Sequence, residues 1–217
     1  MIDLHTHSLL SDGDLLPAEL IRRAEVIGYR AVAITDHADT SNLDWIIPRL
    51  IQACQDLNAQ GKVRAIPGIE LTHLPPTLIV SLTSRARALG AQLVLVHGET
   101  IVEPVPPGTN HQAIEAGVDI LAHPGLISEE DVTFAREKGV FLEITSRQGH
   151  SLSNGHVARL AQKAGAAMVL NTDTHLPGDL ISREKALKVA LGAGLQPEDF
   201  DQMLENSGRI LSRLRRV

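Results

Sequence analysis

Ten histidines beside a single cysteine define the chemistry open to this 217-residue chain. Six of them fall in short polar runs: Asp3-Leu4-His5-Thr6-His7, Asp36-His37, His97-Gly98-Glu99, His123-Pro124-Gly125 and Asp173-Thr174-His175. Residues two apart on an extended chain point to the same side, so His5 and His7 can reach one ion or two adjacent ions. Asp173 and His175 repeat that spacing with a carboxylate first. Glu70 closes an apolar run and could bridge two ions with its two oxygens. Imidazole and carboxylate without thiolate suit Zn, Mn or Fe, with octahedral or five-coordinate geometry as well as tetrahedral. Nine candidates (His5, His7, Asp12, His37, Glu70, His97, His123, Asp173 and His175) are too many for one ion and suit two or three divalent cations. The single cysteine, Cys54, excludes an internal disulfide framework and a thiolate cluster, and its place in a helical segment reads as core.

The elements that must position these groups alternate. Apolar runs at 2–5, 31–35, 63–70, 92–97, 118–122, 140–144 and 167–171 lack polar alternation, as strands buried on both faces of a parallel sheet do. Helical segments are expected at 17–27, 43–58, 77–89, 111–116, 129–138, 154–164, 183–191 and 197–214. Gly28, Gly61, Gly90, Gly117, Gly139 and Gly165 each stand between a helix and the next strand, where a left-handed cap is expected. The repeat is therefore βα, and seven strands suggest a barrel or a doubly wound sheet. Six of the seven strands end in ligand-type residues, at the face that carries the active site of a βα barrel. The segment 98–110, with Pro104, Pro106, Pro107 and Gly108, reads equally as a surface loop or a site-edge loop.

Composition narrows the function classes. Hydrophobic residues make up 43% and charged residues 21%, which suits one globular unit over 1–217. A net charge of −6 argues against binding of duplex nucleic acid, and aromatics at 2% leave little for stacking on bases. No apolar run reaches the roughly 18–20 residues of a membrane helix, and no secretory leader is visible, so a cytoplasmic protein is expected. Oligomeric state is not legible.

The motifs His5-Thr6-His7-Ser8, Ser11-Asp12-Gly13, Thr35-Asp36-His37, Gly68-Ile69-Glu70, His97, Ala122-His123-Pro124-Gly125 and Thr172-Asp173-Thr174-His175 occur in the order of one family. Across residues 2 to 180 the chain resembles the PHP (polymerase and histidinol phosphatase) family. The resemblance implies a distorted (βα)7 TIM-like barrel with a cluster of up to three metals. It implies a first ion at His5, His7, Glu70 and Asp173, a second at Glu70, His97 and His123, and a third at Asp12, His37 and His175. It also implies a metal-dependent phosphoesterase acting on a small phosphorylated metabolite. The expected nucleophile is a hydroxide bridging two ions. The histidinol-phosphatase form carries histidine where this chain has Asp12, and the aspartate version is similar to branches that act on phosphodiesters or nucleotide-like phosphates.

Arg147, after the one strand without a ligand, could grip phosphate in bidentate fashion. His150, three residues on, could bind substrate or donate a proton. Glu143 could pair inward or ligate. His111 could cap a helix or line the site, His73 and His156 read as surface groups, and Glu99 and Glu103 as site-edge or solvated groups. The residues 213–217 form a basic tail without an assigned partner. Alternatives to the phosphomonoesterase are a 3′–5′ exonuclease or nucleotide phosphodiesterase, a C–N hydrolase and a non-catalytic metal-bound module.

Overall fold

The computed structural model describes residues 1–214. Arg215, Arg216 and Val217, the end of the basic tail, lie outside the described residues. The chain runs β1 (Ile2–Asp3), α1 (Pro17–Ile27), β2 (Ala31–Ile34), β3 (His37–Ala38), α2 (Leu43–Gln60), β4 (Arg64–Leu71), α3 (Pro76–Ala88), β5 (Leu93–His97), α4 (Thr109–Glu115), β6 (Ile120–Ala122), α5 (Glu129–Lys138), β7 (Phe141–Thr145), α6 (Asn154–Ala164), β8 (Met168–Asn171), α7 (Arg183–Gly192) and α8 (Pro197–Arg213). All pairings are parallel, in the order β1-β2-β4-β5-β6-β7-β8, with β3 also on β4. A single bridge between Thr6 and Thr174 joins the first and last positions, supported by Asp173 N–H to His5 C=O at 3.0 Å and His7 N–H to Thr174 C=O at 2.8 Å. The result is a distorted TIM-like barrel with seven strand positions.

The second expected strand is interrupted. β2 pairs with 64–67 of β4 and β3 with 70–71, leaving Thr35 and Asp36 between them. The cause is local. The Asp36 carboxylate accepts from the Ser8 amide, the Ser8 hydroxyl and the Ser11 hydroxyl at 2.7–2.8 Å, tying that point of the chain to the loop after β1. Among the six inter-element glycines, Gly61 departs from expectation: its φ is −93°, whereas the other five lie between +64° and +102°. α2 runs on through Gln60, two residues past its expected end, and closes on an extended residue instead of a left-handed one.

Two apolar layers hold the barrel. The larger lies between strands and helices and includes Val32, Ile34, Ile46, Ile47, Leu50 and Cys54. The smaller fills the barrel with Ile2, Leu4, Ala31, Ala33, Ile66, Leu93, Leu95, Ile120, Phe141 and Val169, closed by Ile210 of α8. α8 is fastened at the strand starts: Asn206 donates to the Met168 carbonyl, and Arg64 donates to those of Leu211 and Leu214. Each fully buried Leu, Ile or Phe contributes about 1.5–3 kcal/mol. Apolar filling at the strand starts leaves the strand ends for polar groups. Among the described residues, no helix is long and apolar enough to cross a membrane.

Candidate metal centre

Strand alternation carries the ligands inward. Ile66 on β4 and Leu93 and Leu95 on β5 point into the barrel, and the same parity puts Glu70 and His97 over that interior. On β7, Phe141 leads in the same way to Glu143. His123 and Asp173 stand just past their strands with φ of +27° and +53°. With His73 (+51°) they are the only described non-glycine residues at positive φ. Such backbone costs about 1–3 kcal/mol per residue and collects at functional sites.

The inner donors lie close together. His5 Nε2 is 3.3 Å from Glu70 Oε2 and 3.7 Å from Asp173 Oδ1; His7 Nε2 is 3.5 and 3.2 Å from the same two oxygens. His123 Nε2 approaches the other oxygens, Glu70 Oε1 at 3.5 Å and Asp173 Oδ2 at 3.7 Å. Glu70 thus divides its two oxygens between two groups of imidazoles. An outer group gathers beside them. His175 Nε2 and His37 Nε2 are 3.3 and 3.6 Å from Asp12 Oδ1, and His7 Nδ1 is 4.0 Å from it.

These residues fit divalent cations. His5 Nε2, both nitrogens of His7 and both oxygens of Glu70 are buried without a hydrogen-bond partner. An unsatisfied buried polar atom costs about 1–3 kcal/mol. Donor atoms about 3.3 Å apart match ligands sharing an ion with bonds of about 2.0–2.2 Å. The imidazole tautomers are fixed from behind. His5 Nδ1 donates to Glu143 Oε1 at 2.9 Å, His97 Nδ1 to the Gly98 carbonyl at 3.2 Å and His175 Nδ1 to the Asp173 carbonyl at 3.0 Å. Each Nε2 is then left as a lone-pair donor, the arrangement that backs metal-bound histidine. Glu143 also accepts from Asn171 and from the His123 amide. It pairs inward.

The charges follow from burial and proximity. Burial opposes charge on His5, but Glu143, Glu70 and Asp173 raise its proton affinity well above the ordinary imidazole value. Burial likewise opposes the Glu70 carboxylate, yet His5 and His37 hold it well below the usual carboxylate range. Burial drives His7 well below the ordinary value, with the charge on His37 acting in the same sense. Burial also raises Asp173.

The structure brings all nine expected residues to one mouth. Both further candidates line the cavity there, of about 350 Å³. Arg147 is held by Asp179 at 3.0 Å, whose same oxygen accepts the His175 and Leu176 amides. His150 is buried, stacks on His123 at 4.2 Å and meets the Thr100 hydroxyl through Nδ1 at 2.7 Å. Burial and charge on His123 push it down to about 3, so it is neutral at pH 7. Two residues take a larger part than their sequence suggested. Glu103 Oε2 is 3.1 Å from His97 Nε2 and 3.0 Å from His73 Nε2, and Glu103 Oε1 is 3.4 Å from His150 Nε2. The 98–110 segment is therefore a site-edge loop. His111 pairs with Asp131 on the outside of the barrel, and His156 meets the Ile127 carbonyl; neither lines the cavity.

The sequence pattern of the PHP domain matches residues 3–97. Uncharacterized protein MJ1295 of Methanocaldococcus jannaschii is 50% identical over 204 residues, covering 93% of this chain and 94% of that protein. A protein of Shewanella loihica named "Probable phosphatase" is 26% identical over 241 residues, covering 97% of this chain and 91% of its own length. The DNA polymerase/3′-5′ exonuclease PolX of Bacillus subtilis is 24% identical over 197 residues; 80% of this chain matches 34% of that protein. Among solved structures, a chain of archaeal ribonuclease P with mature tRNA superposes with a TM-score of 0.73 at 16% identity, covering 98% of this chain and 90% of that one. At that identity the likeness shows the fold. The chain belongs to the PHP family of metal-dependent phosphoesterases and is a hydrolase.

Proposed function

We propose that this hydrolase cleaves phosphomonoesters of small metabolites, with His5, His7, Asp12, His37, Glu70, His97, His123, Asp173 and His175 holding two or three divalent ions (Zn, Mn or Fe). The observation that carries this reading is a cluster of nine imidazole and carboxylate donors, five of which (Asp12, His37, His97, Asp173 and His175) line a cavity of about 350 Å³ with a single guanidinium, Arg147, on its wall. A cavity of that size suits a small ligand. When bound, the ions would supply Lewis-acid charge and acidify water, which removes the need for a serine or cysteine nucleophile.

The chain's own groups do the rest. Arg147, braced by Asp179, would hold phosphoryl oxygens. His150, with the Thr100 hydroxyl donating to its Nδ1, would present an Nε2–H to the ester. Neutral at pH 7, it would act there as a hydrogen-bond partner of the substrate. Glu143 keeps the His5 imidazole in its productive tautomer. The test is a panel of phosphomonoesters offered to metal-loaded protein. Turnover is expected, lost in His123→Ala with the fold intact; silence across the panel sinks the reading.

A second reading has support in the PolX relative: removal of nucleotides from a 3′ end. A labelled single-stranded oligonucleotide separates the two. Shortening of the strand without phosphomonoester turnover would favour the exonuclease.

A further inference from the structure

We propose that His73 and Glu103, together with His97, form a loading position through which a divalent cation reaches the buried donors His123 and Glu70. The inference rests on the metal-binding reading of the site and adds two residues to it.

The geometry is that of two imidazoles and one carboxylate. His73 Nε2 and His97 Nε2 lie 3.0 and 3.1 Å from the same oxygen of Glu103, and the two rings are 4.9 Å apart. Such a set binds divalent metals while leaving positions open to water. His97 belongs to two neighbourhoods at once. Outward it meets His73 and Glu103; inward its ring stands 4.3 Å from that of His123, whose Nε2 is 3.5 Å from Glu70. Its Nδ1 is committed to the Gly98 carbonyl, so a single nitrogen must serve both sides. It can hold an ion with the outer pair or with the inner pair, and passing from one to the other is a ligand exchange at one atom.

Exposure gives the direction. The side chains of His73 and Glu103 are 39% and 38% exposed, whereas those of His97, His123 and Glu70 are at 3% or less. A hydrated ion sheds water stepwise, and the step is easier where a protein donor replaces each water lost. In the outer group Asp12, 57% exposed, is the solvent-facing carboxylate beside His37 and His175. On the His97 side that part falls to Glu103. The backbone is built for it. His73 is held at φ +51°. The base of the Glu103 loop is closed by Glu99, which accepts from the Gly108 and Asn110 amides at 3.0 and 2.9 Å.

The experiment follows Zn²⁺ uptake by metal-stripped protein in a stopped-flow instrument with a chromophoric indicator, and release into a chelator. His73→Ala, Glu103→Gln and the pair are compared with the native chain. Residues on a path change both rates alike. The expected result is that uptake and release of one ion both slow by about tenfold, the effect of about 1.36 kcal/mol on a barrier, with unchanged stoichiometry and Kd. Unchanged rates overturn the proposal. A lost equivalent of zinc also overturns it, since the pair would then be permanent ligands. Slowing in Glu103→Gln but not in His73→Ala overturns it in favour of simple charge attraction. A native chain that binds no zinc breaks the metal reading itself, an outcome distinct from normal binding with unaltered rates.

Discussion

The inner donors and the outer donors share one cavity mouth but are held by different means. His5, His7, Glu70, His123 and Asp173 are 0–2% exposed: Glu70 is on β4, His5 and His7 flank the bridge residue Thr6 past β1, and His123 and Asp173 take positive φ just past their strands. Their partners are other buried groups, with Glu143 behind His5 and His123. Asp12 and His175 ride on the loops after β1 and β8, His37 opens the two-residue strand β3, and Asp12 is open to water. The inner group is built by the barrel's register, and its unsatisfied atoms are a standing cost that a bound cation would remove. The outer group depends on serine and threonine hydrogen bonds, such as Ser11 and Ser8 to Asp36 and His37 Nδ1 to Thr72 at 2.6 Å. Substitutions should therefore cost more inside than outside.

The largest effect is expected at Glu70, which faces both inner imidazole groups. Glu70→Gln keeps the shape and removes the charge that two ions would share. Turnover should fall by about 10³-fold, as when a principal charge-stabilising group is lost, and metal analysis should show a deficit of more than one ion. A deficit of one ion, or a loss under tenfold, would erase the distinction between the regions.

Next is Glu143→Gln, which touches no solvent. The native carboxylate accepts from His5, Asn171 and the His123 amide. A glutamine can still accept two of these through its one oxygen, but its NH2 then faces the third donor. The metal-free protein should lose about 1–3 kcal/mol in urea unfolding, and metal affinity should drop about 10–100-fold. Unchanged stability would show that the inner group is less tightly built than its contacts imply.

Asp12→Asn tests the outer group. One ion should be lost and turnover should fall by about 10-fold, while the unfolding free energy measured in urea stays within about 0.5 kcal/mol of native because the site is at the surface. A fall as large as that of Glu70→Gln would make the third ion as central as the inner pair.

The same contrast explains what could be read in advance. Strand-borne residues were legible because alternation is a property of the backbone: once 63–70 and 92–97 are strands, Glu70 and His97 must share the barrel's inner face. His5 and His7 were legible by their spacing, and the seven strand positions by the helix–glycine–strand repeat. Loop-borne contacts were not. Nothing in Ile101-Val102-Glu103 says that its carboxylate returns to His97, because that depends on the clamp between Glu99 and the 108–110 backbone. His73 reads as a surface histidine until its left-handed backbone is seen. The Asp179 brace on Arg147 joins two loops that no periodicity relates, and the break at Thr35 and Asp36 comes from side-chain bonds to Ser8 and Ser11.

The smallest effect is expected at Ser11, one step behind the outer group. Its hydroxyl donates to Asp36 at 2.7 Å and lies 3.2 Å from Asp12 Oδ1. Ser11→Ala removes about 0.5–1.5 kcal/mol of hydrogen bonding and leaves Asp36 two other donors from Ser8. Gly13 still pins the loop, since a side chain there would meet the His7 carbonyl. Asp12 is then freer but stays in place, so affinity for the outer ion should weaken by only a few-fold, on the order of that hydrogen bond. Metal titration read by calorimetry should show this on one ion and leave the inner ions unchanged. A shift in all of them would mean that the loop and the strand ends move together, and that the two groups form one unit.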